Sequence, residues 1–360
     1  MSDLDERQSV LIKAMRFPLI VMVLFVHTIG SNKTMMSLSF DGWNIYHFIS
    51  EMISLNFSKI AVCWFFVFSG YFFFKDIPDG GLDWNWLSRK WGKRIRTLLI
   101  PYVIWNLLYV IIPFIKTFVF SKLGIPQSSL DEEFQMFNKG PVYWFLTGPA
   151  NFPLWFLRDL IVMSILSPLV YLLFRGASKW LGAVALSILF LLPFNTPVLE
   201  WTGYFFFSLG AFLSIRRRNI LELCHKLKWP SVILSVILLL LSTYSTPYSY
   251  HDWILRLYFP FGMITLMEIV DGLINYEKVQ SFLTKMSSPV FFVFASHAIY
   301  ILAWTNGLFK RICNENLAGT WIRYILFPFV VLVISLTLYY LLNAIMPRFL
   351  AFICGGRSKN

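Results

Sequence analysis

Charge is scarce in this chain: only 14% of its 360 residues are Asp, Glu, Lys or Arg, against 57% hydrophobic residues and a mean hydropathy of +0.64. A water-soluble globule cannot clothe itself with so little charge, so the chain belongs in a bilayer. Acidic residues are the scarcer kind, 19 against 31 basic, which leaves a formal charge of +12. Such a balance can mark a nucleic-acid binder, but here Lys and Arg fall in short clusters between apolar runs, as inner-face membrane loops require, and no nucleic-acid partner is expected. Cysteine is sparse. Cys63, Cys224, Cys313 and Cys354 show no metal-ligand spacing, and only Cys313 falls in an outer loop, so neither a metal site nor a structural disulfide is expected. No small-residue cleavage site follows the first apolar stretch and the N-terminus begins with acidic residues, so that stretch reads as a retained span and not a signal peptide. There is no internal repeat, heptad or low-complexity tract and no room for a soluble domain. A single membrane domain over 1–360 is expected, with short tails at about 1–11 and 347–360.

What is present is a series of apolar runs. A spanning helix needs about 20 mainly apolar residues, and ten are predicted, at 12–31, 57–75, 98–120, 154–174, 179–195, 198–215, 230–246, 253–271, 288–308 and 323–346. The fold class is therefore all-α and polytopic. Most basic residues fall on one side of this arrangement, the densest group being Arg89, Lys90, Lys93, Arg94 and Arg96 in the segment 76–97. The positive-inside rule then puts both termini in the cytoplasm of a multi-pass inner (cytoplasmic) membrane protein. The longest outer segment, 121–153, holds Asp131, Glu132 and Glu133 and the aromatic run Tyr143, Trp144 and Phe145, and is suited to covering an outward-facing site.

The first span carries two ionisable side chains, Arg16 and His27, among Phe17, Leu19, Ile20, Val21, Leu24 and Phe25. Hydrocarbon tolerates neither without a reason. Eleven residues are about three helical turns, so both project from nearly one face, roughly 16 Å apart along the axis. Counting depth along the spans places Trp155, Arg158 and Asp159 at the level of His27, with Glu200 and Arg256 also at outer ends, His297 in mid-span and Glu268 near an inner end. Each has an ordinary structural reading. An arginine at the inner end of a first helix snorkels to headgroups, a membrane histidine can simply bond a neighbouring helix, tryptophan favours the interface, and Arg158, Asp159, Glu200 and Arg256 can form a structural ion-pair network. Ser69 and Gly70 read as packing residues that let two helices approach.

The Arg16-to-His27 spacing, FFVFSGYFFF (65–74), RKWGKRIRTLLIPYVIW (89–105), PLWFLRDLIV (153–162) and SSPVFFVFASHAIYIL (287–302) occur in an order that resembles the acyltransferase-3 family of integral membrane acyltransferases, over almost the whole chain. The resemblance implies an O-acyltransferase of the stand-alone form, without a fused esterase-like domain. It would move an acyl group, acetyl in most members, from cytoplasmic acyl-coenzyme A to a hydroxyl of a cell-surface carbohydrate or glycolipid. It implies His27 as the base and Arg16, with Arg89, Lys93 and Arg94, as cations for the donor's phosphates; the same cations also suit lipid phosphates. Arg158 would then hold an oxyanion or the acceptor sugar, Asp159 would orient His27 or offset Arg158, and Trp155, Glu200, Arg256 and His297 would border the substrate. His297 precedes Ile299 and Tyr300, whereas the family more often places its histidine after the tyrosine. Direct transfer and an acylated intermediate both stay open. An exporter of polysaccharide or glycolipid is the alternative of a different class; it should show a continuous polar path or paired repeats, which are absent here.

Overall fold

The computed structural model describes residues 3–28, 41–124, 140–176, 179–191, 195–196 and 199–357. Gly30 and Ser31 at the end of the predicted first span, and Lys33, Asp131, Glu132, Glu133, Lys139, Pro193 and Pro197, lie outside the described residues. Helix α1 (Asp3–Val26) is followed by α2 (Gly42–Glu51), which Asp41 caps by accepting from the Trp43 and Asn44 amides. A π turn (Met52–Asn56) and a 3-10 turn (Phe57–Lys59) lead into α3 (Ile60–Phe74). Helix α4 (Trp84–Arg94), capped by Asp83, runs through a π turn (Ile95–Leu99) into α5 (Ile100–Lys122). The basic segment 76–97, expected as a loop, is thus largely helical, because an Asp cap and the buried Trp86 and Leu87 anchor it to the bundle.

Next come α6 (Trp155–Ile165), α7 (Ser167–Arg175) and α8 (Lys179–Leu191). A two-residue antiparallel hairpin (β1, Asn195–Thr196; β2, Leu199–Glu200) then precedes α9 (Trp201–Ile215). The chain ends with α10 (Ile220–Tyr244), α11 (His251–Leu273), α12 (Glu277–Lys285), α13 (Val290–Ser296), a π segment (His297–Ile301), α14 (Leu302–Ile312), α15 (Leu317–Ile345) and α16 (Pro347–Ile353).

Among the described residues seven helices are long and apolar enough to cross a membrane, and an eighth if Phe152–Ile165 and Ser167–Arg175, bent by 55°, form one span. Leu181–Leu191 and Trp201–Ile215 are apolar but shorter, roughly 17 and 23 Å at 1.5 Å per residue, where a hydrocarbon core of about 30 Å was to be crossed. The 55° bend has a local cause. Pro168 has no amide hydrogen for the Ser164 carbonyl four residues back, and that oxygen is taken instead by the Trp91 indole (2.8 Å) and the Ser167 hydroxyl (2.7 Å).

The segments expected as short tails, 1–11 and 347–360, are largely helical among the described residues. Helix α1 starts at Asp3 with Gln8 and Leu11 buried, and α16 buries Leu350 and Ile353. Helix α1 also stops at Val26, short of the predicted 31. The amides of His27 and Thr28 fold back to the Leu24 and Phe25 carbonyls, and the Thr28 hydroxyl caps Leu24 as well, which tightens and closes the last turn.

Helices α3 and α9 make the closest approach in the bundle. A Cβ on Gly70 would strike the Phe207 carbonyl, and one on Gly210 the Val67 carbonyl, so glycine on both sides lets the backbones touch. Several of the basic residues between apolar runs are paired: Arg7 with Asp271 (2.7 Å), Lys228 with Glu268 (3.2 Å) and Arg217 with Asp79. The four cysteines are free thiols.

Candidate active site

His27 is the first residue beyond α1, and its ring is partly exposed. It meets Phe152 edge-on, centroids 5.1 Å apart, and stacks on His297 with centroids 5.4 Å apart and planes 27° apart. His297 is fully buried. Its Nδ1 lies 2.7 Å from the Phe294 carbonyl and 3.1 Å from that of Val293, which assigns the proton to Nδ1 as donor. Nε2 is then a lone-pair nitrogen, and it is buried with no hydrogen-bond partner among the described residues. The helix breaks directly after His297, with Tyr300 in the left-handed region at φ 61°. A non-glycine residue held there costs of order 1–3 kcal/mol and persists only where its surroundings enforce it.

Two asparagines that the sequence reading passed over hold this geometry. Asn106 donates to the Tyr102 carbonyl (2.8 Å) and accepts from the Asn151 amide (3.1 Å), while the Asn151 side chain donates to the Ala295 carbonyl (2.8 Å). Both are buried, and they tie α5, the residue before Phe152 and the turn before His297 into one unit. The available signal was Asn106 inside an otherwise apolar span, since amides are retained in hydrocarbon where they bond across helices. The Asn151 Oδ1 and Ser296 Oγ atoms, like His297 Nε2, are buried and unpartnered among the described residues. Three such atoms therefore cluster on segments flanking His27.

Arg158 and Asp159 bond to each other: Nε and Nη2 donate to Asp159 Oδ1 at 2.9 and 2.8 Å, and Nη1 donates to the Thr147 carbonyl. The second Asp159 oxygen accepts from the Glu200 amide at 3.0 Å. Of the two roles open to Asp159, orienting His27 or offsetting Arg158, its hydrogen bonds serve the second. Arg256, the other cation placed at this level, donates to the Phe190 carbonyl (3.1 Å). Trp155 packs with Phe66 and Phe156.

Because α1 begins at Asp3, Arg16 lies mid-helix, about three turns back from His27, and is exposed. Arg94 donates to the Ser69 carbonyl (3.0 Å) and lies over the Phe73 ring, and Arg89 and Lys93 are exposed. The expected cation set therefore divides, with Arg94 tied into the bundle and Arg89 and Lys93 at the surface. Among the described residues no group of three or more His, Cys, Asp or Glu side chains is gathered as metal ligands would be.

A family model described as an acyltransferase domain, that of acyltransferase-3, matches residues 10–340. The chain is also similar to the succinoglycan biosynthesis protein ExoH of Rhizobium meliloti (strain 1021), 25% identical over 370 aligned residues that span 99% of this chain and 94% of that protein. No solved structure matches it. With a family model matched along nearly all its length, this chain belongs to the acyltransferase-3 family.

Proposed function

We propose that the protein moves an acyl group, acetyl being the first to test, from cytoplasmic acyl-coenzyme A to a hydroxyl of a cell-surface carbohydrate or its lipid-linked precursor. The observation that carries this reading is the His27–His297 stack just past the end of α1, with Arg16 about three turns back along that helix. The carbohydrate acceptor is supported by the likeness to a succinoglycan biosynthesis protein, and the donor's phosphates by the cations around Arg16 and Arg94.

In the direct form of the reaction a neutral His27 nitrogen takes the proton of the acceptor hydroxyl as its oxygen attacks the thioester carbonyl. The new C–O bond forms, the C–S bond breaks, and the imidazolium returns its proton to the departing thiolate. His297, with its proton held on Nδ1 by backbone carbonyls, lays a neutral flat ring against His27 and fixes its orientation. Arg158 and Asp159 brace the outer end of the site through the 147 and 200 backbones and take no part in proton transfer. Both termini are cytoplasmic in this reading, and the membrane is the inner one. Mass analysis of surface glycans from cells with and without the protein tests it: an acyl mass lost from one glycan in the deletion supports the reading, and identical glycans refute it.

A further inference from the structure

Beyond the matched stretch 10–340 the chain carries a short terminal cap, packed through Leu350 and Ile353. The indole of Trp105 donates to the Ile353 carbonyl (2.9 Å), anchoring α16 against α5. After it Gly355 and Gly356 take φ values of +64° and +78°, a region that L side chains avoid. A Cβ on Gly355 would sit 2.9 Å from the Arg96 carbonyl oxygen and 2.9 Å from Thr97 Cα, so glycine lets the chain double back onto the junction of α4 and α5. That turn delivers Arg357, whose guanidinium lies over the Phe291 ring at 4.2 Å and donates to the Cys354 carbonyl.

Arg357 arrives beside like charges. Arg94 and Arg16 are the cations that act on it, and among the described residues no carboxylate pairs with any of the three. Burial first, then Arg94 and Arg16, push the Arg357 guanidinium down to about 10, which leaves it charged at neutral pH. The turn at Gly355 lies against Arg96 and Thr97, just past Arg94, so a left-handed glycine turn, an indole anchor, an aromatic face and a backbone carbonyl bring Arg357 to the basic segment that holds Arg94. Arginine forks converging without a counter-charge are the arrangement that receives phosphate oxygens.

We infer that Arg357 completes, with Arg16 and Arg94, a binding site for a phosphate-bearing ligand, so that the C-terminal cap is part of the donor site. The assignment rests on the acyl-coenzyme A reading above for the identity of that ligand; a phospholipid headgroup offers the same chemistry. Phe291, which supports Arg357, stands near the start of α13, and His297 follows its last residue, so one short helix joins the cation group to the imidazole pair.

The full-length protein in phosphatidylcholine nanodiscs, titrated with coenzyme A by calorimetry, tests this. Arg357→Gln is expected to weaken binding about tenfold or more with unchanged thermal unfolding, and Gly355→Ala, which displaces the turn, should weaken it in the same direction. Equal affinity in the wild type and in either folded variant overturns the site. If wild type binds no coenzyme A, but nanodiscs containing phosphatidylglycerol show that lipid retained by wild type and lost from Arg357→Gln, the anion site stands with a lipid occupant and the acyl-coenzyme A reading fails. Neither ligand bound by wild type overturns both.

Discussion

The imidazoles of His27 and His297 lie face to face, 5.4 Å between centroids, although 270 positions separate them along the chain. Replacing His297 by Phe keeps a flat ring of similar size but removes the Nδ1–H bonds to the Val293 and Phe294 carbonyls that hold it against His27. The turnover number should fall by up to about 100-fold with little change in KM for the donor, as expected when a base is displaced slightly from its line of attack. Wild-type turnover in this variant would reduce His297 to packing.

Asn106 holds Asn151, and through it the segment whose next residue, Phe152, touches His27. Asn106→Ala leaves the Asn151 amide and the Tyr102 carbonyl short of a partner and should cost about 1–3 kcal/mol in stability. Thermal unfolding measures that cost, and acyl transfer should fall at temperatures well below the transition because Phe152 is freed.

Asp159 is fully buried beside Arg158. Asp159→Ala strands that guanidinium and should destabilise the protein by about 3–5 kcal/mol, whereas replacing both residues by apolar ones of similar volume should recover much of the loss. Thermal unfolding of the single and double variants decides this. A single variant that melts like wild type yet transfers no acyl group would move Asp159 from bracing into the chemistry.

Gly70 and Gly210 permit the contact between α3 and α9. Gly70→Leu drives a side chain into the Phe207 carbonyl and should cost about 3 kcal/mol or more, seen as loss of monodisperse protein on size exclusion. Ser69→Ala removes a hydroxyl that bonds nothing among the described residues, and should change stability by no more than about 0.5 kcal/mol.

The helical membrane architecture was legible because apolar runs and scarce charge leave a chain no other solution, and Arg16, His27 and Arg94 were legible because ionisable groups stand out in or beside such runs. The end of α1 was not, since Val26, His27 and Thr28 close the helix through backbone and hydroxyl bonds that hydropathy does not register. Span number read ten where seven helices are long enough, because apolar length alone does not show that α8 and α9 are short or that Pro168 bends a pair. The partnership of His27 with His297, the Asn106–Asn151–Ala295 chain and the return of Gly355 to Arg96, which brings in Arg357, are all contacts between distant segments. Sequence order gave His297 a secondary place and Arg357 none, and only packing brings them in.

The central claim is that His27 is the base for acyl transfer. Proteoliposomes holding the protein, supplied with labelled acetyl-coenzyme A and a glycan fraction from cells lacking it, measure this directly against His27→Ala. Label should pass to the glycan with the wild type and fall by about 100-fold or more in the variant, with coenzyme A binding retained; transfer by His27→Ala at the wild-type rate would contradict the account.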